Sequence, residues 1–153
     1  MHTTDYELLI EQAKAITHGE SDLIANLSNL SALVYEALED VNWVGFYLTR
    51  EPETLVLGPF QGKVACLRIP FGRGVCGTAA HSRVTQLVVD VHDFEGHIAC
   101  DAASNSEVVV PLIVNDEVVG VFDLDSPTVG RFNQADADGL SALGRFIETL
   151  NWR

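Results

Sequence analysis

Basic charge is scarce in this chain: nine Lys and Arg stand against twenty-two Asp and Glu, a formal charge of −13. Such a surface repels phosphate backbones and anionic headgroups, which argues against nucleic acid and membrane surfaces as partners. No segment approaches the roughly 20 continuous apolar residues that a bilayer-crossing helix requires, so no transmembrane part is expected. The opening "MHTTDYELLIEQAK" lacks the basic region, apolar run and small-residue cleavage site of a signal peptide, and a cytoplasmic location is the expectation. Cysteine is also sparse. Three thiols cannot all pair within one molecule, and in a reducing compartment any bridge should be transient. Their separations, nine and then twenty-three intervening residues, lack the close C-x₂₋₄-C pairs of structural zinc sites. Zinc held by the thiols with His92 and His97 is therefore disfavoured, and these two histidines read as loop residues bonded to backbone or water. The phosphate-binding pattern G-x-x-x-x-G-K-[ST] is absent as well, and no cofactor is expected.

What is present is a chain long enough to bury a proper core, with no repeat and no linker, read as one domain over residues 1–153. Tyr6, Leu9, Ile10, Ala13 and Ile16 recur at helical spacing, and after Gly19 so do Leu23, Leu27, Leu30, Val34 and Leu38, with Ser21 as the expected cap. From "NWVGFYLTR" the period changes. Runs of aromatic and β-branched residues over 43–49, 54–60, 64–70, 86–90, 107–114 and 118–124 predict a sheet of five or six strands. A last helix runs from Asn133, its cap, to Leu150. Helices at both ends and strands between predict an α+β domain with an antiparallel sheet and the terminal helices on one face. The irregular stretch 72–105 would cover the other face as a binding loop.

Cys100, in "GHIACDAASNSE", sits among small, polar and turn-forming residues, where packing alone does not place a structural cysteine. It is the candidate for chemistry. Cys76, in "GRGVCGTAA", opens a short helix, where packing under a glycine turn competes with a redox role favoured by the helix dipole. Cys66 alternates with Val64 and Arg68 on an expected strand and reads equally well as a half-buried packing residue. Gly72, Gly74 and Gly77 match G-x-G-x-x-G formally, but the helix after them is too short for a βαβ crossover, so dinucleotide binding is a weak alternative.

"EVVVPLIVNDEVVGVFDLDSP" predicts a β-hairpin. Alternation puts Asp123 and Asp125 on one face, and a three-residue loop at 115–117 would pair Glu107 with Asp125, whereas a two-residue loop would pair it with Leu124. Only the former gathers three carboxyls on one face. Neighbouring carboxyls raise one another's pKa, an arrangement suited to delivering a proton or holding an ammonium group. Trp43 and Tyr47 offer apolar walls for such a site, while Phe46 reads as core.

Together "NWVGFYL", "LVLGPFQGKVACLRIPFGRGVCGTAA", "DVHDFEGHIACDAASNSEVVVPL" and "GVFDLDSP" resemble the GAF-domain free methionine-(R)-sulfoxide reductases over nearly the whole chain. The resemblance implies a GAF-like fold and reduction of the free amino acid methionine-(R)-sulfoxide. It implies Cys100 as nucleophile, ending as a sulfenic acid, with Cys66 resolving it as a disulfide that thioredoxin reduces. Cys76 would be auxiliary. Glu107, Asp123 and Asp125 would share proton delivery and ammonium binding, Trp43 and Tyr47 would hold the methyl group, and a homodimer is suggested. A small-molecule-sensing GAF module without catalysis is the alternative.

Overall fold

The computed structural model describes residues 3–96 and 104–152, so His97 and Cys100 lie outside the described residues. Two helices come first, α1 (Tyr6–Thr17) and α2 (Leu23–Ala37). β1 (Trp43–Glu51), β2 (Thr54–Gly62) and β3 (Arg68–Pro70) follow, then α3 (Gly74–Ser82) and β4 (Gln86–Val88). β5 (Ser106–Val114), β6 (Glu117–Ser126) and α4 (Gln134–Ile147) complete the order. The six strands form one sheet in the order β3-β2-β1-β6-β5-β4, antiparallel at every pairing.

Strand alternation gives the sheet two unlike faces. Val44, Phe46 and Leu48 of β1, Val108, Val110 and Leu112 of β5, and Phe122 and Leu124 of β6 join the terminal helices in the main core. Phe46 and Phe122 stack with ring centroids 4.9 Å apart. Burial of such side chains stabilises by about 1.5–3 kcal/mol each. Helix α4 lies close enough that a Cβ on Gly144 would come within 2.8 Å of Val110 Cγ1. On the opposite face, α3 and the segments around it cover a smaller cluster that includes Trp43, Tyr47, Ile69, Val75 and Cys76.

The α+β architecture follows the sequence expectation, and five local features depart from it, the last of them the β5–β6 turn. The cap of α2 is Asp22, not Ser21, because the longer carboxylate reaches the Ala25 N–H at 2.9 Å. The expected strand 64–70 shrinks to Arg68–Pro70: of the preceding carbonyls, those of Lys63 and Cys66 are satisfied by side chains and not by a neighbouring strand. Trp43 Nε1–H donates to Lys63 O at 3.1 Å and Tyr47 O–H to Cys66 O at 2.9 Å. Strand 86–90 stops at Val88, since Asp90 turns to cap a short 3₁₀ turn, Val91–Asp93. Helix α4 starts at its Asn133 cap, with Asp136 completing a capping box, but ends at Ile147 rather than Leu150.

The β5–β6 hairpin has a two-residue turn, not three. Asn115 and Asp116, both at positive φ (53° and 65°), supply the left-handed backbone that tight hairpins need, and Val114 pairs with Glu117. That turn alone would put Glu107 opposite Leu124. A bulge intervenes: Ile113 pairs with Val118 but Leu112 with Gly120, so Val119 is the extra residue. Beyond it, Glu107 faces Asp125.

Candidate active site

The corrected register builds a row across three strands. Trp43 pairs with Asp125 and Asp125 with Glu107, so side chains from β1, β6 and β5 point from one line of the sheet. One step along, Asp123 lies between Gly45 and Val109. The Gly45 position has no room for a side chain, since a Cβ there would sit 2.2 Å from Phe60 Cβ. Asp123 therefore has no bulky neighbour on its β1 side.

Trp43, Glu107, Asp123 and Asp125 line a cavity of about 50 Å³ bordered by the start of α3 and the 64–65 segment. Trp43 forms the apolar wall, stacked between Tyr47 (6.0 Å) and Phe60 (5.1 Å). The Tyr47 hydroxyl is committed to the Cys66 carbonyl, and burial with the Asp123 charge nearby pushes its pKa far above the usual phenol range. Tyr47 is thus a wall and a strut rather than an acid.

Glu107 and Asp123 are 7% and 5% exposed, so ionising either removes a charge from water. Burial, then the Asp123 and Asp125 charges, hold the Glu107 carboxyl well above the ordinary carboxylate range, and its hydrogen bonds to both aspartates favour the protonated form further. Burial also raises Asp123, but hydrogen bonds from Glu107, Cys76 and Asp125 pull it back. Glu107 is accordingly the carboxyl held most strongly protonated, with Asp123 accepting from it. The second Asp123 oxygen, Oδ1, is buried without a hydrogen-bond partner among the described residues.

Cys76 belongs to this cluster. Its buried thiol lies 3.9 Å from Glu107 Oε2, and burial plus the surrounding acids raise its pKa well above the usual thiol value. A group held as thiol is a poor nucleophile at neutral pH. Cys76, Glu107 and Asp123 do offer three possible metal-ligand atoms within 4.8 Å of one another, although a cation there would have to displace the thiol proton. Cys66 is disulfide-bonded, and Cys76 is the free cysteine among the described residues.

The cavity thus gathers Trp43, Tyr47, Cys76, Glu107, Asp123 and Asp125. His92 is not part of it: its exposed ring pairs with Asp90 at 2.8 Å, as a loop histidine should. The glycine turn before α3 has a structural use. Gly72 and Gly74 are at positive φ, and a Cβ on Gly77 would meet Pro70 O at 2.5 Å. β4 then pairs antiparallel with β5, so no parallel crossover forms, and dinucleotide binding has no fold to rest on. Sequence reasoning missed Ser104, whose buried hydroxyl has no hydrogen-bond partner among the described residues, and Arg73 at the cavity mouth. The glycine turn was the available signal for Arg73, because a turn entering a short helix projects its flanking residues over the sheet.

A site of this kind can hold a small molecule's ammonium against Asp123, cover an apolar group with Trp43, and deliver one proton from Glu107. The GAF domain family model matches residues 25–149. The free methionine-R-sulfoxide reductase of Escherichia coli (strain K12) is 56% identical over 148 residues, covering 97% of this chain and 89% of that protein. The protein of the same name from Saccharomyces cerevisiae is 46% identical, covering 92% and 82%. A solved free methionine-R-sulfoxide reductase from Neisseria meningitidis, in complex with its substrate, superposes with a TM-score of 0.91 at 42% identity, covering 97% of this chain and 91% of that one.

Proposed function

The chain belongs to the GAF-domain family of free methionine-R-sulfoxide reductases, and on that membership and the cavity's chemistry we propose that it reduces free methionine-(R)-sulfoxide by a two-cysteine cycle. The observation that carries the reading is the Glu107–Asp125 pairing with Asp123 beside it, which concentrates a held proton and an anionic acceptor under an aromatic wall.

In this reading the Cys100 thiolate attacks the sulfoxide sulfur while Glu107 protonates the oxygen, which makes it a leaving group. The resulting hydroxyl transfers from the substrate sulfur to Cys100 Sγ as the transient bond between the two sulfurs breaks, leaving Cys100 as a sulfenic acid and methionine with its sulfur electron pair. The Cys66 thiolate then attacks the Cys100 sulfur, a disulfide forms, and the oxygen leaves as water. This protects Cys100 from irreversible over-oxidation. That Cys66 is disulfide-bonded supports its role as the resolving thiol. Thioredoxin supplies the two electrons that reopen the bridge. Asp123, with Asp125, holds the substrate ammonium, Trp43 and Tyr47 enclose its methyl group, and Cys76 tunes the acids as a packed thiol. The unit that does this is the single domain 1–153, working in the cytoplasm, with a homodimer as its expected assembly.

The test is stereochemical. Incubated with dithiothreitol, the protein should reduce the free R sulfoxide and leave the free S sulfoxide and a sulfoxide-containing peptide untouched, and Cys100→Ser should abolish turnover. Equal activity on both epimers, or wild-type rates in Cys100→Ser, would refute the assignment. The sensing alternative makes a sharp counter-prediction, saturable binding of the sulfoxide with no methionine produced.

A further inference from the structure

Charge along this acidic chain is strongly segregated. Residues 54–89 contain none of the twenty-two acidic side chains and four of the nine basic ones, Lys63, Arg68, Arg73 and Arg83; all other residues together hold five basic against twenty-two acidic, or −17. Two of the four are neutralised from outside the stretch, Arg68 by Glu51 at 2.8 Å and Arg83 by Asp116 at 3.0 Å. Lys63 and Arg73 have no ion-pair partner among the described residues, and both are exposed.

Apolar exposure concentrates at the same place. Val64 and Leu67 are 87% and 66% exposed, and they lie on either side of the disulfide-bonded Cys66. This short segment is rigidly fixed, because the Lys63 and Cys66 carbonyls accept from the Trp43 and Tyr47 side chains and the Leu67 carbonyl accepts from the Leu57 N–H. Packing does not account for two large side chains held rigidly in solvent beside a redox bond, with uncompensated cations next to them.

We propose that the segment 63–67, with Arg73 beside it, is the docking surface for a dithiol oxidoreductase whose own surface is acidic around its reactive cysteine, and that this partner attacks Cys66. Opposite charge steers the encounter, and the exposed Val64 and Leu67 form the contact that water leaves. A thiolate of the partner attacks Cys66 Sγ, forming a mixed disulfide and releasing the Cys100 thiolate. The partner's second thiol then attacks its own bridged sulfur, releasing Cys66 and leaving the partner oxidised by two electrons. Val64 and Arg73 also border the cavity, whereas Lys63 and Leu67 do not line it, so substitutions at Lys63 and Leu67 test reductant recognition apart from sulfoxide recognition. The inference rests on the reading above that a dithiol protein closes the cycle.

The experiment follows reduction of the oxidised protein, without any sulfoxide, by trapping new thiols with an alkylating agent and reading the mass shift. Thioredoxin is the protein reductant and dithiothreitol the small one, which needs no docking. The Lys63→Glu/Leu67→Glu double variant should be reduced at least about tenfold more slowly by thioredoxin and at an unchanged rate by dithiothreitol. With wild type, added salt should slow thioredoxin and not dithiothreitol. Thioredoxin rates within about twofold of wild type, or a loss shared equally with dithiothreitol, overturn the proposal. Failure of the reductase reading would appear elsewhere, as absent turnover of the free R sulfoxide by wild type with dithiothreitol.

Discussion

The two faces of the sheet are made by the same strands and obey different physics. On the helical side, Val44, Phe46, Phe122 and Leu124 are fully buried among aliphatic side chains, and every contact there favours the folded chain. On the other side, one residue away along each strand, buried Asp123 and Glu107 and half-buried Asp125 crowd beside Trp43, and the fold is stable in spite of them. The first face supplies the stability that the second one spends on holding a proton where water would otherwise take it. A carboxyl deprived of solvent is costly, and it is also the group able to protonate a poor leaving oxygen near neutral pH.

The comparison breaks most readily at Glu107. Glu107→Gln keeps the shape and removes the proton donor, so turnover with dithiothreitol should fall by about 10²–10⁴ while the melting temperature holds or rises. A loss of activity that merely tracks a loss of folding would erase the distinction between the faces. The mirror experiment is Phe122→Ala, which should cost about 3–5 kcal/mol in urea unfolding and leave the activity of the still-folded fraction near wild type at low temperature. Both substitutions lie on neighbouring paired strands, so the contrast isolates the face.

A smaller effect sharpens the comparison through pH. Below the ordinary Glu value of 4.5 the Glu107 carboxyl is protonated in folded and unfolded chains alike, so it costs nothing. As pH rises past that value the unfolded chain ionises while the folded one keeps its proton, and stability falls until the folded carboxyl itself ionises. Asp123, raised in the same direction, adds to this slope. Denaturation midpoints should therefore decline as pH rises above the ordinary Glu value of 4.5, and Glu107→Gln should flatten the decline. An equal slope in both proteins would show that the acids are not carrying it. Least of all should follow from Asp116→Asn, which removes the exposed ion pair with Arg83 and keeps a residue suited to the turn; its melting curve should overlay that of wild type.

Alternation made much of this legible from sequence. Asp123 and Asp125 had to share a face, Phe46 had to point away from Trp43 and Tyr47, and a C-terminal helix had to begin at Asn133. Whether Glu107 joined the aspartates hung on the hairpin, and there the expected three-residue loop was wrong although its consequence was right. A tight turn at Asn115–Asp116 and a bulge at Val119 reach the same pairing by different means, and nothing in "NDEVVGV" distinguishes a residue in a turn from one in a bulge two positions later. The strand expected over 64–70 spans only Arg68–Pro70 for a related reason. Its apolar alternation is real, but it serves a segment held by Trp43 and Tyr47 side chains from two strands away, a long-range arrangement that local pattern does not carry. Ser104 escaped notice because one serine among several small polar residues has no distinguishing neighbour.

The stacking of Trp43 between Tyr47 and Phe60, directly opposite Asp125, has a practical corollary. An indole that lines the same cavity as the acids is an optical reporter built into the proposed site, and its emission should change whenever the cavity fills, empties or changes charge. The second indole, Trp152, hydrogen-bonds to the carbonyl of Ile147 at the end of α4, away from the cavity, and would contribute a steady background. Stopped-flow traces of the unlabelled chain, with Trp152→Phe to remove that background, would time each passage through the cycle as it happens.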